Sequence, residues 1–251
     1  MSTPDQFNER VRPDIVKRAV LSIQSKNRQP YGADDRAGLQ HVTRIKQRNN
    51  AFRGQKGKGM SRTPKKVLLA RGEQFYWVGA EAPEAVGGRR AHPPKPEKDF
   101  EEEINDTERR KAIRSAIAAT AREDIVSEKH DYDGDLPIVT DEITDTEKTG
   151  ELREKLEDLG LGDELERASG KKVRAGKGAN RGRKYRTKTG PLLVTDGDEG
   201  IRQAASNIPG VDVSSVDQLN AEKLAPGAQP GRLVVWTEKS MERLEEEELY
   251  H

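Results

Sequence analysis

Apolar residues recur at helical spacing near the start of the chain, where Ile15, Val16, Ala19, Val20 and Ile23 form one stripe. Pro13 suits the first helical position and Asp14 complements the helix dipole. This predicts a packing helix that fades over residues 27–30 and needs a core elsewhere. The periodicity is then lost over residues 32–98, which Gly54, Gly57, Gly59, Gly72, Gly79, Gly87 and Gly88 punctuate and Pro93, Pro94 and Pro96 close. A stretch of that length without regular structure is usually functional or disordered. Ordering a backbone costs about 1–2 kcal/mol per residue, which so little periodic apolar surface does not offset. One local exception is a pair of apolar quartets, residues 67–70 and 75–78, on either side of Arg71-Gly72-Glu73-Gln74, the pattern of a β-hairpin.

Regular patterning resumes at Ile104-Asn105-Asp106-Thr107-Glu108, a capping-box sequence with an apolar residue before the cap. Ala112, Ile113, Ala116, Ile117 and Thr120 continue that helix. Beyond it, strand-like runs at 136–140, 191–195, 211–213 and 232–237 alternate with helical ones at 146–159, 199–207, 215–224 and 238–249. The alternation predicts an α/β fold: an open, mostly parallel sheet with flanking helices, Rossmann-like in its layering, plus a long extended basic loop. The expected organisation is an N-terminal segment and helix of the globular domain at 1–31, the extended loop at 32–98, and the remainder of the globular domain at 99–251. A second basic loop at 171–190 leads into the strand at 191.

Charge changes this picture. Residues 36–98 carry 15 Lys/Arg against 4 Asp/Glu, residues 171–190 carry 9 against none, and the rest of the chain carries 21 against 40. A whole-chain net charge of +1 therefore hides two cationic stretches in an acidic body. Separation of this kind is the footprint of a polyanion, and Gly-rich, Arg-rich loops suit RNA. At 32% apolar and 35% charged residues, only part of the 251-residue chain is expected to form a compact core. There is no cysteine, which excludes disulfides and thiolate zinc sites. No apolar run approaches the roughly 20 residues needed to span a bilayer and the N-terminus has no signal-peptide core, so the chain reads as intracellular, with no membrane partner.

The most specific chemistry lies in the second loop. Its glycines let backbone N–H groups approach phosphates, its arginines fork onto phosphate oxygens, and Tyr185 is placed to stack on a base. Lys171, Lys172, Arg174, Lys177, Arg181, Arg183, Lys184 and Arg186 are the expected phosphate contacts there. In the first loop the corresponding residues are Arg53, Lys56, Lys58, Arg62, Lys65, Lys66, Arg71, Arg89 and Arg90. Phe75-Tyr76-Trp77 holds three of the chain's 11 aromatics and reads equally as a base-stacking cluster or a small local core. His92, after Arg89-Arg90 and before Pro93-Pro94, reads as a phosphate or backbone contact, since no Ser, Cys or second His completes a triad.

Other motifs fail on inspection. Gly176, Gly178 and Gly182 miss the dinucleotide fingerprint, and Gly54 and Gly59 have phosphate-loop spacing but Met60 stands where the lysine must be. Asp131, Asp133, Asp135 and Glu142 imitate a calcium loop, with Leu136 where the turn requires Gly. Asp196, Asp198 and Glu199 follow a strand but have no basic or nucleophilic partner, and an acidic first helical turn explains them. No catalytic residue, cofactor or metal is expected.

Several ordered stretches then carry a likeness. They are Arg12-Pro13-Asp14 with its helix; Ala85-Val86-Gly87-Gly88-Arg89-Arg90-Ala91-His92-Pro93-Pro94-Lys95; Arg114-Ser115-Ala116-Ile117-Ala118-Ala119-Thr120-Ala121; Arg174-Ala175-Gly176-Lys177-Gly178 through Arg181-Gly182-Arg183-Lys184-Tyr185; and Leu224-Ala225-Pro226-Gly227 followed by Pro230-Gly231-Arg232-Leu233. Together these resemble archaeal-type members of the universal large-subunit ribosomal protein L-four family, over about residues 12–244. Ahead of Arg12, where the family has a short strand and turn, this chain has only residues 1–10, and residues 39–84 depart from the family's loop. The resemblance implies a globular α/β domain seated on large-subunit rRNA early in assembly, with the extended loop threading toward the wall of the polypeptide exit tunnel. It implies as partners large-subunit rRNA, neighbouring large-subunit proteins and, near the loop tip, the nascent polypeptide, all in the cytoplasm on the ribosome. The rival readings are a free RNA-binding regulator or RNA chaperone, and an α/β enzyme acting on RNA.

Overall fold

A computed structural model describes residues 3–71, 74–144, 146–197 and 199–250. The chain divides into two compact units, residues 1–27 with 101–251, and residues 28–100. The first unit, the body, is built on four parallel strands in the spatial order Ile138–Val139, Val234–Trp236, Leu192–Thr195, Asp212–Ser215. Along each strand successive side chains face opposite ways. Leu192, Val194, Val234 and Trp236 therefore pack with Val16, Ala19, Val20, Ile113 and Ile117 of the helices Pro13–Lys26 and Asp106–Thr120. Ile138, Leu193 and Val235 pack with Leu152, Leu156, Leu165 and Ile201 of the helices Thr149–Leu156, Gly162–Ser169 and Glu199–Ala205. Cover on both faces is why the central strands Val234–Trp236 and Leu192–Thr195 are buried throughout and read as apolar runs, whereas the edge strand Asp212–Ser215 is partly exposed and carries Asp and Ser.

Several elements are shorter than the apolar pattern predicts, each for a local reason. The strand expected over 136–140 is confined to Ile138–Val139, because Pro137 has no N–H to give the ladder. The one expected over 232–237 is Val234–Trp236: Arg232 turns its side chain to other work, and the Thr237 hydroxyl accepts from the Ser240 amide at 3.3 Å to cap the helix Glu238–Glu246. The helix expected over 215–224 is a turn at Val216–Gln218 followed by Ala221–Leu224, which Asn220 caps through the Lys223 amide at 2.8 Å. Gly160, at φ 79°, ends the helix expected over 146–159 and lets Gly162–Ser169 start on a new axis. The capping box at Asn105 does not form. The Asn105 side chain makes no cap bond, and Glu108 pairs instead with Arg18 at 3.1 Å. Ahead of Arg12, Asp5–Asn8 is a short helical turn whose Phe7 ring meets Trp236 edge-on, centroids 5.4 Å apart.

The second unit holds the three-stranded antiparallel sheet Thr43–Arg44, Lys65–Arg71, Gln74–Gly79. The hairpin is longer than the two apolar quartets, and its turn residues Gly72 and Glu73 lie outside the described residues. Pairing shifts register between Val67 and Leu69. The expected hairpin thus forms, and Thr43–Arg44 adds a strand that the pattern did not give: cross-strand hydrogen bonding needs no helical periodicity, and most of the hairpin's described apolar side chains stay exposed or half-exposed. The unit's two ends meet, with the Ala33 amide donating to the Pro94 carbonyl at 3.0 Å and Tyr31 stacked on Phe100 at 5.3 Å.

The burial contrast has a measurable consequence. Leu193→Ala, at a fully buried position, is expected to cost about 2–5 kcal/mol in denaturant unfolding. Leu68→Ala, at a position 63% exposed, is expected to stay within about 0.5 kcal/mol.

Candidate nucleic-acid interface

Residues 171–190 are not an unstructured loop. Lys171–Val173 pairs antiparallel with Tyr185–Thr187, with Lys172 opposite Arg186 and Val173 opposite Tyr185. The Arg174 amide continues the ladder to the Lys184 carbonyl at 2.7 Å. At the tip, Gly176 and Gly182 take φ values of 86° and 80°, which turn the backbone around the short helical turn Ala179–Arg181. Lys171, Lys172, Arg174, Lys177, Arg181, Arg183, Lys184, Tyr185 and Arg186 are all exposed on this hairpin, and so is Lys188. Lys171 Nζ lies 4.3 Å from the Tyr185 ring centroid. Among the described residues, none of these basic side chains forms an ion pair with a carboxylate, whereas the body's Arg114, Arg153 and Arg243 do, with Glu9, Glu157 and Asp217.

A two-stranded hairpin is marginal on its own, so its root must be held from the body. Arg232 is 2% exposed and donates to the Gly190 carbonyl at 3.0 Å, the Lys223 carbonyl at 2.9 Å and Asp212 at 2.5 Å. Arg167 donates to the Thr189 carbonyl at 2.7 Å and to Glu164 at 2.6 and 2.7 Å. Glu164 is fully buried and also meets His130 Nδ1 at 2.6 Å and the Asp131 amide at 3.1 Å. Burial by itself would raise the Glu164 carboxyl, but the bonds from Arg167, then His130, then the Asp131 amide hold it down at about 2. Gly190 and Gly210 pass each other against Ala168, joined by the Gly190 amide to the Gly210 carbonyl at 2.9 Å. A Cβ at Gly210, whose φ is 82°, would meet Ala168 Cβ at 2.9 Å. Sequence reading did not single out Arg167, Arg232 or Glu164 as supports. The one available signal was Arg232, a charge at the head of an apolar strand.

The first-loop residues behave less uniformly. Lys56, Lys58, Arg62, Arg71, Arg89, Arg90 and His92 are exposed, and Arg53 and Lys66 half-buried. Lys56 and Arg62 line one depression with Gln55 and Met60. Lys65 differs: it is buried, and its ammonium donates to the Ser61 carbonyl and hydroxyl at 2.8 Å and the Thr63 carbonyl at 3.2 Å. In the Phe75-Tyr76-Trp77 cluster, Tyr76 is 65% exposed and Trp77 half-buried, while the Phe75 side chain lies outside the described residues.

Of the acidic candidates, Asp196 is ion-paired with Arg243, which also bonds Asp217 and Glu247. Asp198 and the Glu199 side chain lie outside the described residues. Among the described residues no group of three His, Asp or Glu side chains is arranged to hold a metal ion, and no helix is long and apolar enough to cross a membrane.

The model of the ribosomal protein L4/L1 family matches residues 2–247. The chain belongs to that family. Archaeal relatives, each called large ribosomal subunit protein uL4, match it along nearly their whole length. The protein from Nanoarchaeum equitans is 48% identical over 98% of this chain and 93% of its own. That from Methanothrix thermoacetophila is 48% identical over 97% and 92%, and that from Halobacterium salinarum 45% over 97% and 93%. The family match begins ten residues before the likeness seen at Arg12. Those residues include buried Gln6 and Phe7, so the segment ahead of the first helix packs into the core of this chain, and among its described residues no strand forms.

The buried carboxylate makes the hairpin's root acid-sensitive. A group held near 2 against an ordinary 4.5 contributes stability that is complete above 4.5 and lost as pH falls toward 2. Between those limits the denaturant midpoint of the wild type is expected to fall more steeply than that of Glu164→Gln. Parallel curves would show that Glu164 carries no such linkage.

Proposed function

We propose that the chain is a non-enzymatic structural constituent of the archaeal large ribosomal subunit, in the cytoplasm, and that it holds large-subunit rRNA with two cationic projections. The observation that carries this is the Lys171–Thr187 hairpin: exposed cations without a carboxylate partner among the described residues, on a scaffold tied to the body by half-buried Arg167 and buried Arg232. Like charges crowded in this way repel unless an anion lies among them, and the names of the relatives supply the setting in which that anion is RNA.

The two units take different parts in this reading. The body, residues 1–27 and 101–251, seats on the rRNA surface early in assembly. In layering it is Rossmann-like, with both faces of an open parallel sheet covered, although its strand order is not the dinucleotide-binding one. Residues 32–98 extend through rRNA and contribute to the wall of the polypeptide exit tunnel, with neighbouring large-subunit proteins and the nascent chain as further contacts. Exposed apolar residues support this: Val42, Phe52, Leu68, Leu69, Tyr76 and Val86 all lie in this unit, and Phe52, for one, is 76% exposed. Isolated apolar side chains need no explanation, but a concentration of them on a basic element marks a covered surface. Arg53, Lys56, Lys58, Arg62, Lys66, Arg71, Arg89, Arg90 and His92 provide its phosphate contacts, and Lys65 holds the turn that presents them. An enzyme acting on RNA is disfavoured because Asp196 is held by Arg243 and His92 has no partner group among the described residues. Alanine at Asp196 is expected to leave every RNA-dependent property unchanged.

If about 10 cations meet phosphate, rRNA affinity should fall with salt at a log–log slope of about −7 to −9. The protein should also comigrate with large subunits after a high-salt wash. A shallow slope would remove the phosphate basis of the reading, and release in the wash would favour a free RNA-binding regulator.

A further inference from the structure

We infer that the cleft between the second hairpin and the body is a seat for a phosphate group, formed by Lys172, Arg186 and Lys188 on the hairpin side and Lys129 on the body side. This rests on the reading just given and deepens it: it assigns a defined pocket, and two residues outside the exposed phosphate contacts already named, to one kind of ligand.

The cleft measures about 400 Å³ and its lining contains five cations, the four above and Arg167, but no carboxylate. Arg167 is committed to Glu164, which lies fully buried behind it. The other four have no ion-pair partner among the described residues, and Glu128, the exposed neighbour of Lys129, is not part of the lining. Lys172 and Arg186 stand directly opposite one another across the hairpin. Like charges in a cross-strand pair destabilise a sheet, and here they do so in a ladder of only three strand residues on each side. Arg186 and Lys188 are two apart and so share a face, as Lys172 and Arg174 do. That face is wholly cationic, while the other carries Val173 and Tyr185.

On the body side, Lys129 is held in place, its ammonium donating to the Gln229 carbonyl at 2.9 Å and the Pro230 carbonyl at 2.5 Å. Three protons and two carbonyl acceptors leave one N–H to offer. A tetrahedral oxyanion in the cleft answers both needs: it separates Lys172 from Arg186 and accepts the remaining Lys129 proton. The ligand chemistry is a phosphate oxyanion, whether one phosphodiester of rRNA or a free phosphate.

The test uses the full-length chain. Lys188→Gln and Lys129→Gln are each expected to weaken large-subunit rRNA binding about tenfold and to make the salt slope shallower by about 1. Lys148→Gln, at an exposed lysine paired with Glu151, should change neither. Since Lys129 also anchors two carbonyls, Lys188→Gln decides the case if Lys129→Gln unfolds. In the RNA-free protein, inorganic phosphate should slow amide exchange over residues 171–188 relative to chloride at equal ionic strength, and Lys188→Gln should abolish the difference. Protection by phosphate with unchanged rRNA affinity would assign the seat to free phosphate. Neither effect, with wild-type rRNA binding intact, would overturn the seat and leave the RNA-binding reading standing. Loss of rRNA binding by the wild type itself would overturn both.

Discussion

Charge of one sign can be crowded onto a two-stranded hairpin only if something other than the hairpin fixes its root. Here that work falls to two arginines whose own charges are already satisfied. Arg167 is neutralised by buried Glu164 and spends a further N–H on the Thr189 carbonyl. Arg232 gives its three described bonds to the Gly190 and Lys223 carbonyls and to Asp212. Burying a guanidinium costs several kcal/mol, offset only when its donors are matched. Burial accordingly lowers the Arg232 pKa, and its described donor groups each have an acceptor. What the arrangement contributes is direction rather than net stability. Adjacent carbonyls, Thr189 and Gly190, are each gripped from a different element, so the chain leaving the sheet has one permitted path.

The approach of Gly190 to Gly210 belongs to the same constraint. Side chains at these positions would press on Ala168, which lies in the Gly162–Ser169 helix next to Arg167. That helix therefore presents its arginine to the root on one residue and its smallest useful surface on the next. Close packing sets the distance and the buried ion pair sets the angle. The exposed cations beyond the root need no internal partner for their placement, which leaves them available to phosphate.

The body was largely legible because its central strands are covered on both faces, and a doubly buried strand leaves a continuous apolar run that alternation with helices makes conspicuous. Boundaries were less legible where a single residue's chemistry decides them: Pro137 shortens one strand, Thr237 becomes a cap, and Gly160 divides one helical run in two. The capping-box residues mark the helix start, with Asn105 at the cap position, but the box's own bonds do not form because Arg18, far away in sequence, takes Glu108. At the interface, charge density located the second hairpin but not its strands, since every side chain of Lys171–Val173 and Tyr185–Thr187 is exposed and burial imposes no alternation. Lys65 illustrates the opposite error. Counted with its neighbours it looks like one more phosphate contact, yet three oxygens of Ser61 and Thr63 occupy its ammonium. Counting charges along a chain cannot separate a lysine that builds a turn from one that the turn displays.

Closure of the first arm at its neck bears on what a partner must supply. Arg28 lies over the Tyr31 and Phe100 rings at 5.2 and 4.8 Å, and a Cβ on Gly32 would meet Pro96 Cδ at 2.4 Å, so both ends of residues 28–100 are drawn together before anything binds. Cation–π contacts of this kind contribute about 0.5–1 kcal/mol at exposed sites. That is small beside the cost of ordering dozens of residues, at about 1–2 kcal/mol each. The neck is therefore not what orders the arm. Its effect is on the search: joining the ends of a loop becomes dearer by only about 0.6 kcal/mol per doubling of length, so a modest stack suffices to make the arm one closed loop. On the function proposed above, phosphate contacts act on a loop whose ends are already fixed rather than on a free segment.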